Sequence, residues 1–279
     1  MSGLSFGSPG TCIFCGVADT PRTREHIIPK AIAGGPDGLV FTDATCGDCQ
    51  VKIKRFEDHS HLVHLIGARR FLDLRGYTKV KNQKTHLPMR ATTGTYEGTV
   101  MVAVEDYPAL LGFPVYGPAS WQTDPEAALV EPPVTAMTTR LLRGDDGRLN
   151  RKYGIKTFTG MMFDAGLLGR YIAKVAHCYT IGRFGLENVV PFLGPHLLHE
   201  DLAHRGILPF IGNSDRKIDV PGLHRLETFE KKGLGYHLVG GVVQLFGQAD
   251  MPTYEVLVGA MKGSKLPPWA QVPPGIAEG

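Results

Sequence analysis

Two Cys-x-x-Cys pairs, Cys12-Ile13-Phe14-Cys15 and Cys46-Gly47-Asp48-Cys49, constrain this chain more than anything else in its sequence. Each offers two thiols from one tight turn, and together they supply the closed tetrahedral set of a structural zinc ion. Gly16 and Gly47 suit the sharp backbone of such turns. Redox motifs or buried thiols are the other readings of the same spacing. Five cysteines placed at random would seldom fall into two such pairs. The fifth, Cys178, lies in an apolar helical stretch and reads as a small buried residue. No apolar run is long enough to cross a bilayer, and residues 1–10 lack the basic start and apolar middle of a signal peptide. The expectation is therefore a cytoplasmic chain with no membrane partner, where paired cysteines point to metal or catalysis and not to disulfides.

The loop between the pairs, residues 16–45, is longer than a compact zinc finger needs, so something is built into it. It carries Arg24-Glu25-His26-Ile27-Ile28-Pro29 and then a Gly-rich turn at Gly34-Gly35-Pro36. A helix follows the fourth cysteine, with Ile53, Phe56, Val63 and Ile66 close to one face. An acid beside an imidazole is a useful couple. A neutral imidazole takes a proton from water at neutral pH, and a carboxylate holds a hard divalent ion against a phosphate oxygen. The other reading of Glu25 and His26 is an exposed strand pair in a zinc-stabilised binding module. His61 and His64 stand at helical i, i+3 spacing and read as solvated or capping residues, outside the site.

The rest of the chain predicts an α+β organisation. Residues 1–10 read as a flexible lead-in, 11–66 as the zinc module, 67–90 as a basic linker, 91–265 as a larger α+β domain and 266–279 as a disordered, Pro- and Gly-rich tail. Within the larger domain, residues 163–184 form the strongest helix, 196–205 a second short one, and 236–246 with 253–261 neighbouring strands. A strand is expected at 98–105, and Gly112 to Pro118 and Glu131 to Pro133 read as irregular.

The paired cysteines, the Glu25-His26 segment, Gly34-Gly35 and the helix after Cys49 together resemble the four-cysteine, zinc-binding branch of the HNH (His-Me finger) endonucleases. The likeness covers about the first 65 residues. It implies a zinc-stabilised ββα-metal module that grips one divalent ion, Mg²⁺ or another, and hydrolyses DNA phosphodiester bonds. By that resemblance His26 is the general base and Glu25 the hairpin's ligand to the catalytic metal. A second ligand comes from the residue after the fourth cysteine, usually Asn or His in the family and here Gln50. Gln keeps an oxygen donor but moves it by about a bond length, which disturbs a tight metal geometry.

Lys30, Lys52, Lys54 and Arg55 lie near the expected catalytic loop, with Arg69 and Arg70 at the helix's far end. They read either as a phosphate track or as an ordinary basic face. The net charge of +3 decides nothing, because nucleic-acid binding depends on clustered Lys and Arg more than on the total. Two further readings stay open: a zinc-stabilised nucleic-acid-binding protein with a degenerate nuclease centre, and a protein-binding zinc module.

Overall fold

A computed structural model describes residues 5–34, 38–74, 85–94, 96–145, 147–158, 164–201, 204–218 and 222–270. The chain is α+β. Its N-terminal part runs β1 (Ser5–Phe6), β2 (Arg22–His26), β3 (Val40–Cys46), α1 (Gly47–Val63) and α2 (Ile66–Phe71). Strands β2 and β3 pair antiparallel, and β1 adds in parallel on the far edge of β3. The expected flexible lead-in is therefore partly corrected, because Phe6 packs its ring against Phe41 and Tyr179.

A middle section follows with β4 (His86–Thr93), β5 (Tyr96–Ala103), β6 (Ala109–Tyr116), α3 (Ser120–Thr123), β7 (Val134–Arg143), α4 (Arg148–Tyr153) and β8 (Ile155–Phe158). Strand β4 sits between β5 and β8, and β6 pairs with β7. The expected linker is flanked by structure, since α2 and β4 occupy its two ends. Arg75, Lys79, Lys81 and Lys84 lie outside the described residues. Gly112 to Tyr116, read as irregular, is the second half of β6.

The remainder contains α5 (Ala165–Phe184), β9 (Val189–Pro191), α6 (Gly194–Leu197), β10 (Ile211–Ser214), β11 (Arg225–Gly233), β12 (Tyr236–Gln244) and β13 (Thr253–Met261). In place of one short helix over 196–205 there are two pieces, α6 and a 3₁₀ turn at Arg205–Phe210. Strands β12 and β13 are antiparallel neighbours as expected, with β11 outside β12 and β9 and β10 sharing the other edge of β13. The expected disordered tail begins as packed chain: the Trp269 ring meets Phe192 and Phe210, and its indole N–H donates to the Pro125 carbonyl. Residues 271–279 lie outside the described residues.

Helix α5 organises the molecule. Asp164 caps its N-terminus by accepting from the Leu167 N–H at 2.9 Å, and Gly185, at φ +82°, ends it in a backbone region that disfavours other residues. One side of α5 lies on the β11–β13 sheet, where Ala176 comes so close to Gly241 that a Cβ there would sit 3.0 Å away. The other side carries Arg170, Lys174 and His177, at i, i+4 and i+7, toward the N-terminal module. His177 donates to the Ile13 carbonyl at 2.8 Å and stacks on Phe14. The apolar residues of the zinc module are consequently continuous with those of α5 and the C-terminal sheet in one core. A small second cluster lies under β4, β5, α4 and β8.

Burial fixes several imidazoles as neutral. His224 is locked in one tautomer: Nε2–H donates to the Ile32 carbonyl at 2.7 Å and Nδ1 accepts from the Phe246 N–H at 3.3 Å. Burial holds His177 and His224 down to about 4 and His61 to about 3, against 6.5 for a free imidazole. A depressed folded pKa means that the unfolded chain binds protons first. Stability is therefore full above pH 6.5 and is lost as pH falls toward these lower values. Each group removes about 1.4 kcal/mol per pH unit within that window. Thermal melts at stepped pH should show a midpoint level above neutrality and falling steeply below 6.5. A flat profile down to pH 4.5, roughly the middle of that window, contradicts this assignment.

Candidate metal and catalytic site

The four thiols of Cys12, Cys15, Cys46 and Cys49 come together with all sulfurs within 4.8 Å of one another. The first turn is closed by the Gly16 N–H donating to the Cys12 carbonyl at 2.8 Å, with Gly16 at φ +77°. Gly47 does not need glycine in the same way. It begins α1, and a Cβ there would meet nothing. Cys15 and Cys46 sulfurs are 3.8 Å apart, the edge of a tetrahedron whose centre lies about 2.3 Å from each thiolate. The hydrogen bond with Cys49, aided by backbone N–H groups and opposed by burial, pulls the Cys12 thiol down to about 5. Burial pushes Cys15 up to about 11. Four cysteines so arranged could hold a zinc ion, and the donor set fits that ion. Cys178 is buried in α5, consistent with a packing role.

The cysteines bracket the hairpin and begin the helix, and the functional candidates sit between. Thr23 pairs with Thr45 but Glu25 pairs with Phe41, so three residues of β3 oppose one of β2. Asp43, at φ +47°, takes up this bulge. Bulges re-aim side chains. Here Arg24 is exposed, Glu25 is buried and His26 is half-buried at the strand's end. A cleft of about 720 Å³ opens between the hairpin and α1, lined by Glu25, His26, Lys30, Gln50, Lys54 and Arg69 among others. Gln50, Ile53, Lys54, Glu57, Asp58 and His61 all line it, at the spacing of one helix face.

His26 lies in this cleft with its pKa lowered by burial and by the charges of Lys30 and Lys174, so the ring is neutral at neutral pH. Its Nδ1 is buried and has no hydrogen-bond partner among the described residues. Packing, more than a hydrogen bond to that nitrogen, orients the ring. Of the six cations read as a phosphate track, Lys30, Lys54 and Arg69 line the cleft, whereas Lys52 and Arg55 are exposed on other faces of α1 and, like Arg70, do not line it. Lys54 pairs with Asp58 at 2.6 Å, both well exposed, so Asp58 is a solvated charge. Arg69 enters the cleft wall, donating to the Ala31 carbonyl at 2.9 Å. His61 and His64 are not solvated: both are buried, and His61 Nε2 lies 2.8 Å from the Tyr171 hydroxyl.

The residue missed from sequence is Lys174. Its side chain is 1% exposed, and its ammonium lies 2.6 Å from Glu25 Oε1 and 2.9 Å from Glu57 Oε1. It also donates to the His26 carbonyl. The second oxygen of Glu25 accepts from the Thr45 hydroxyl at 2.9 Å. Burial pushes Lys174 toward the neutral amine, but the two carboxylates outweigh it and hold its pKa above that of an ordinary lysine. Burial pushes Glu57 up to about 7 against the pull of Lys174. With its carboxylate committed to Lys174 and Thr45, Glu25 does not fit a divalent ion in this arrangement. A hard ion at carboxylate distance would face a buried ammonium.

Among the described residues no helix is long and apolar enough to cross a membrane. Compared with protein-family models, with curated proteins and with solved structures, the chain finds no match.

Proposed function

We propose that this chain is a zinc-stabilised nucleic-acid enzyme of the HNH type, cleaving a phosphodiester bond, in DNA by the resemblance, with His26 as general base. The observation that carries the reading is the convergence of His26, Gln50, Lys30, Lys54 and Arg69 on one cleft at the junction of a hairpin and helix bracketed by four clustered cysteines. A structural zinc ion held by Cys12, Cys15, Cys46 and Cys49 fixes both ends of the segment that bears His26. The neutral imidazole takes a proton from a water molecule, whose oxygen bonds to phosphorus as the bond to the leaving sugar oxygen breaks. The departing oxygen is protonated from solvent. Lys30, Lys54 and Arg69 supply positive charge for the phosphate. Lys52 and Arg55 extend that charge along the exposed helix, outside the cleft. The divalent ion that the resemblance implies is left out of these steps because of the Glu25–Lys174 pair.

That same pair favours a second reading. With Lys174 on Glu25 and Gln in place of the family's usual Asn or His, the module is a nucleic-acid-binding unit whose nuclease centre has decayed. The two separate on incubation of the zinc-loaded full chain with supercoiled plasmid, labelled single-stranded DNA and RNA, with and without added Mg²⁺ or Mn²⁺. Cleavage of any of these supports the enzyme. Retention of DNA that weakens steeply with salt, without cleavage of any substrate, moves the assignment to the binding module.

A further inference from the structure

The buried cation at the centre of the site belongs to the chain itself. Lys174 reaches from α5 across the module interface, and four oxygen atoms surround its ammonium: Glu25 Oε1, Glu57 Oε1 and the carbonyls of His26 and Ile27. Glu25 comes from β2, Glu57 from α1 and Lys174 from α5, so one charge ties together the hairpin, the helix and the C-terminal part. The His26 and Ile27 carbonyls accept hydrogen bonds from the ammonium, and the Glu25 and Glu57 carboxylates face it as ion pairs. At 1% exposure it does not reach a substrate.

We infer that Lys174 is a positioning residue that takes the place of a divalent ion between Glu25 and Glu57, holding hairpin against helix while excluding that ion from the cleft. This rests on the reading of the cleft as a phosphate site only for its purpose. The ion pairs themselves stand without it. Two carboxylates from facing elements are what a hard cation would bridge, and here they bridge a side chain. Metal exclusion then lies with Lys174, 124 positions beyond Gln50, which lines the cleft.

The test uses Mn²⁺ alone as probe, with the zinc-loaded full chain, reading free Mn²⁺ by electron paramagnetic resonance. Wild type and Gln50→Asn are expected to leave the Mn²⁺ signal undiminished, because the ammonium is still in place. Lys174→Met is expected to bind Mn²⁺ at least about tenfold tighter than wild type once the like charge is gone, and to lose that gain when Glu25→Gln is added. Should Lys174→Met fail to fold, Lys174→Gln carries the test, since it removes the charge, keeps an amide donor for the backbone carbonyls and leaves both carboxylates in place. Mn²⁺ held by wild type or by Gln50→Asn and released on Glu25→Gln overturns the inference, as does a folded lysine variant that binds no tighter than wild type. Strand cleavage is not the readout, so failure of the nuclease reading and failure of this inference are separately visible.

Discussion

Cys49→Ser is expected to abolish retention of zinc and to lower the thermal midpoint of the whole chain. The effect extends beyond the N-terminal module because the module has no core of its own. Ile13 and Phe14 of the first turn lie in the same buried cluster as α5, and His177 is bonded to Ile13 across the interface. A structural zinc ion contributes an apparent 10–16 kcal/mol in isolated fingers, on the order of the entire stability of a domain. Even a third of that, at about 2–4 °C per kcal/mol for a chain of this size class, moves the midpoint by roughly 10 °C. Metal analysis should give one zinc per wild-type chain and none for the variant, with calorimetry showing the shift. A variant that loses the metal and keeps its midpoint would mean that the thiols pack without contributing a metal frame.

The second large effect concerns chemistry alone. His26→Ala should slow strand cleavage by about 10²–10⁴-fold, the usual contribution of a positioned general base. Its stability should stay within about 1 kcal/mol of wild type, because the ring is only half-buried and its Nδ1 makes no hydrogen bond that truncation would break. The carbonyl that receives Lys174 is backbone and survives the change. Rates on a plasmid substrate, beside a melt of the same preparation, check both halves.

What was legible in the sequence was local. The cysteine pairs needed only their spacing. The long helix and the β12–β13 pair followed from period and turn signals within a few residues. The hairpin segment was marked by its position between the cysteines, though not the bulge at Asp43 that re-aims it. The electrostatics of the site was not legible, because it is set by a contact across 148 positions. No window around Glu25 contains Lys174. One signal was available: Arg170, Lys174 and His177 lie at i, i+4 and i+7 on an otherwise apolar helix, and charged residues are almost never buried without partners. His61 and His64 read as solvated for the same reason, since the packing around α1 that buries them is invisible in their own helix. Phe6 and Trp269, single aromatics in Gly- and Pro-rich ends, anchor segments whose composition reads as loose. Half of the basic track dissolved because neighbours in sequence point to different faces of one helix, leaving Lys54 in the cleft and Lys52 and Arg55 outside it.

The most direct test of the central claim, that His26 in the zinc-held cleft cleaves a phosphodiester, is the nicking rate of supercoiled plasmid by wild type and His26→Ala, matched for zinc content and melting temperature. Wild type is expected to nick the plasmid at a rate that falls by at least about a hundredfold in the variant. Equal rates in the two proteins, or nicking that separates from the chain on further purification, would contradict it.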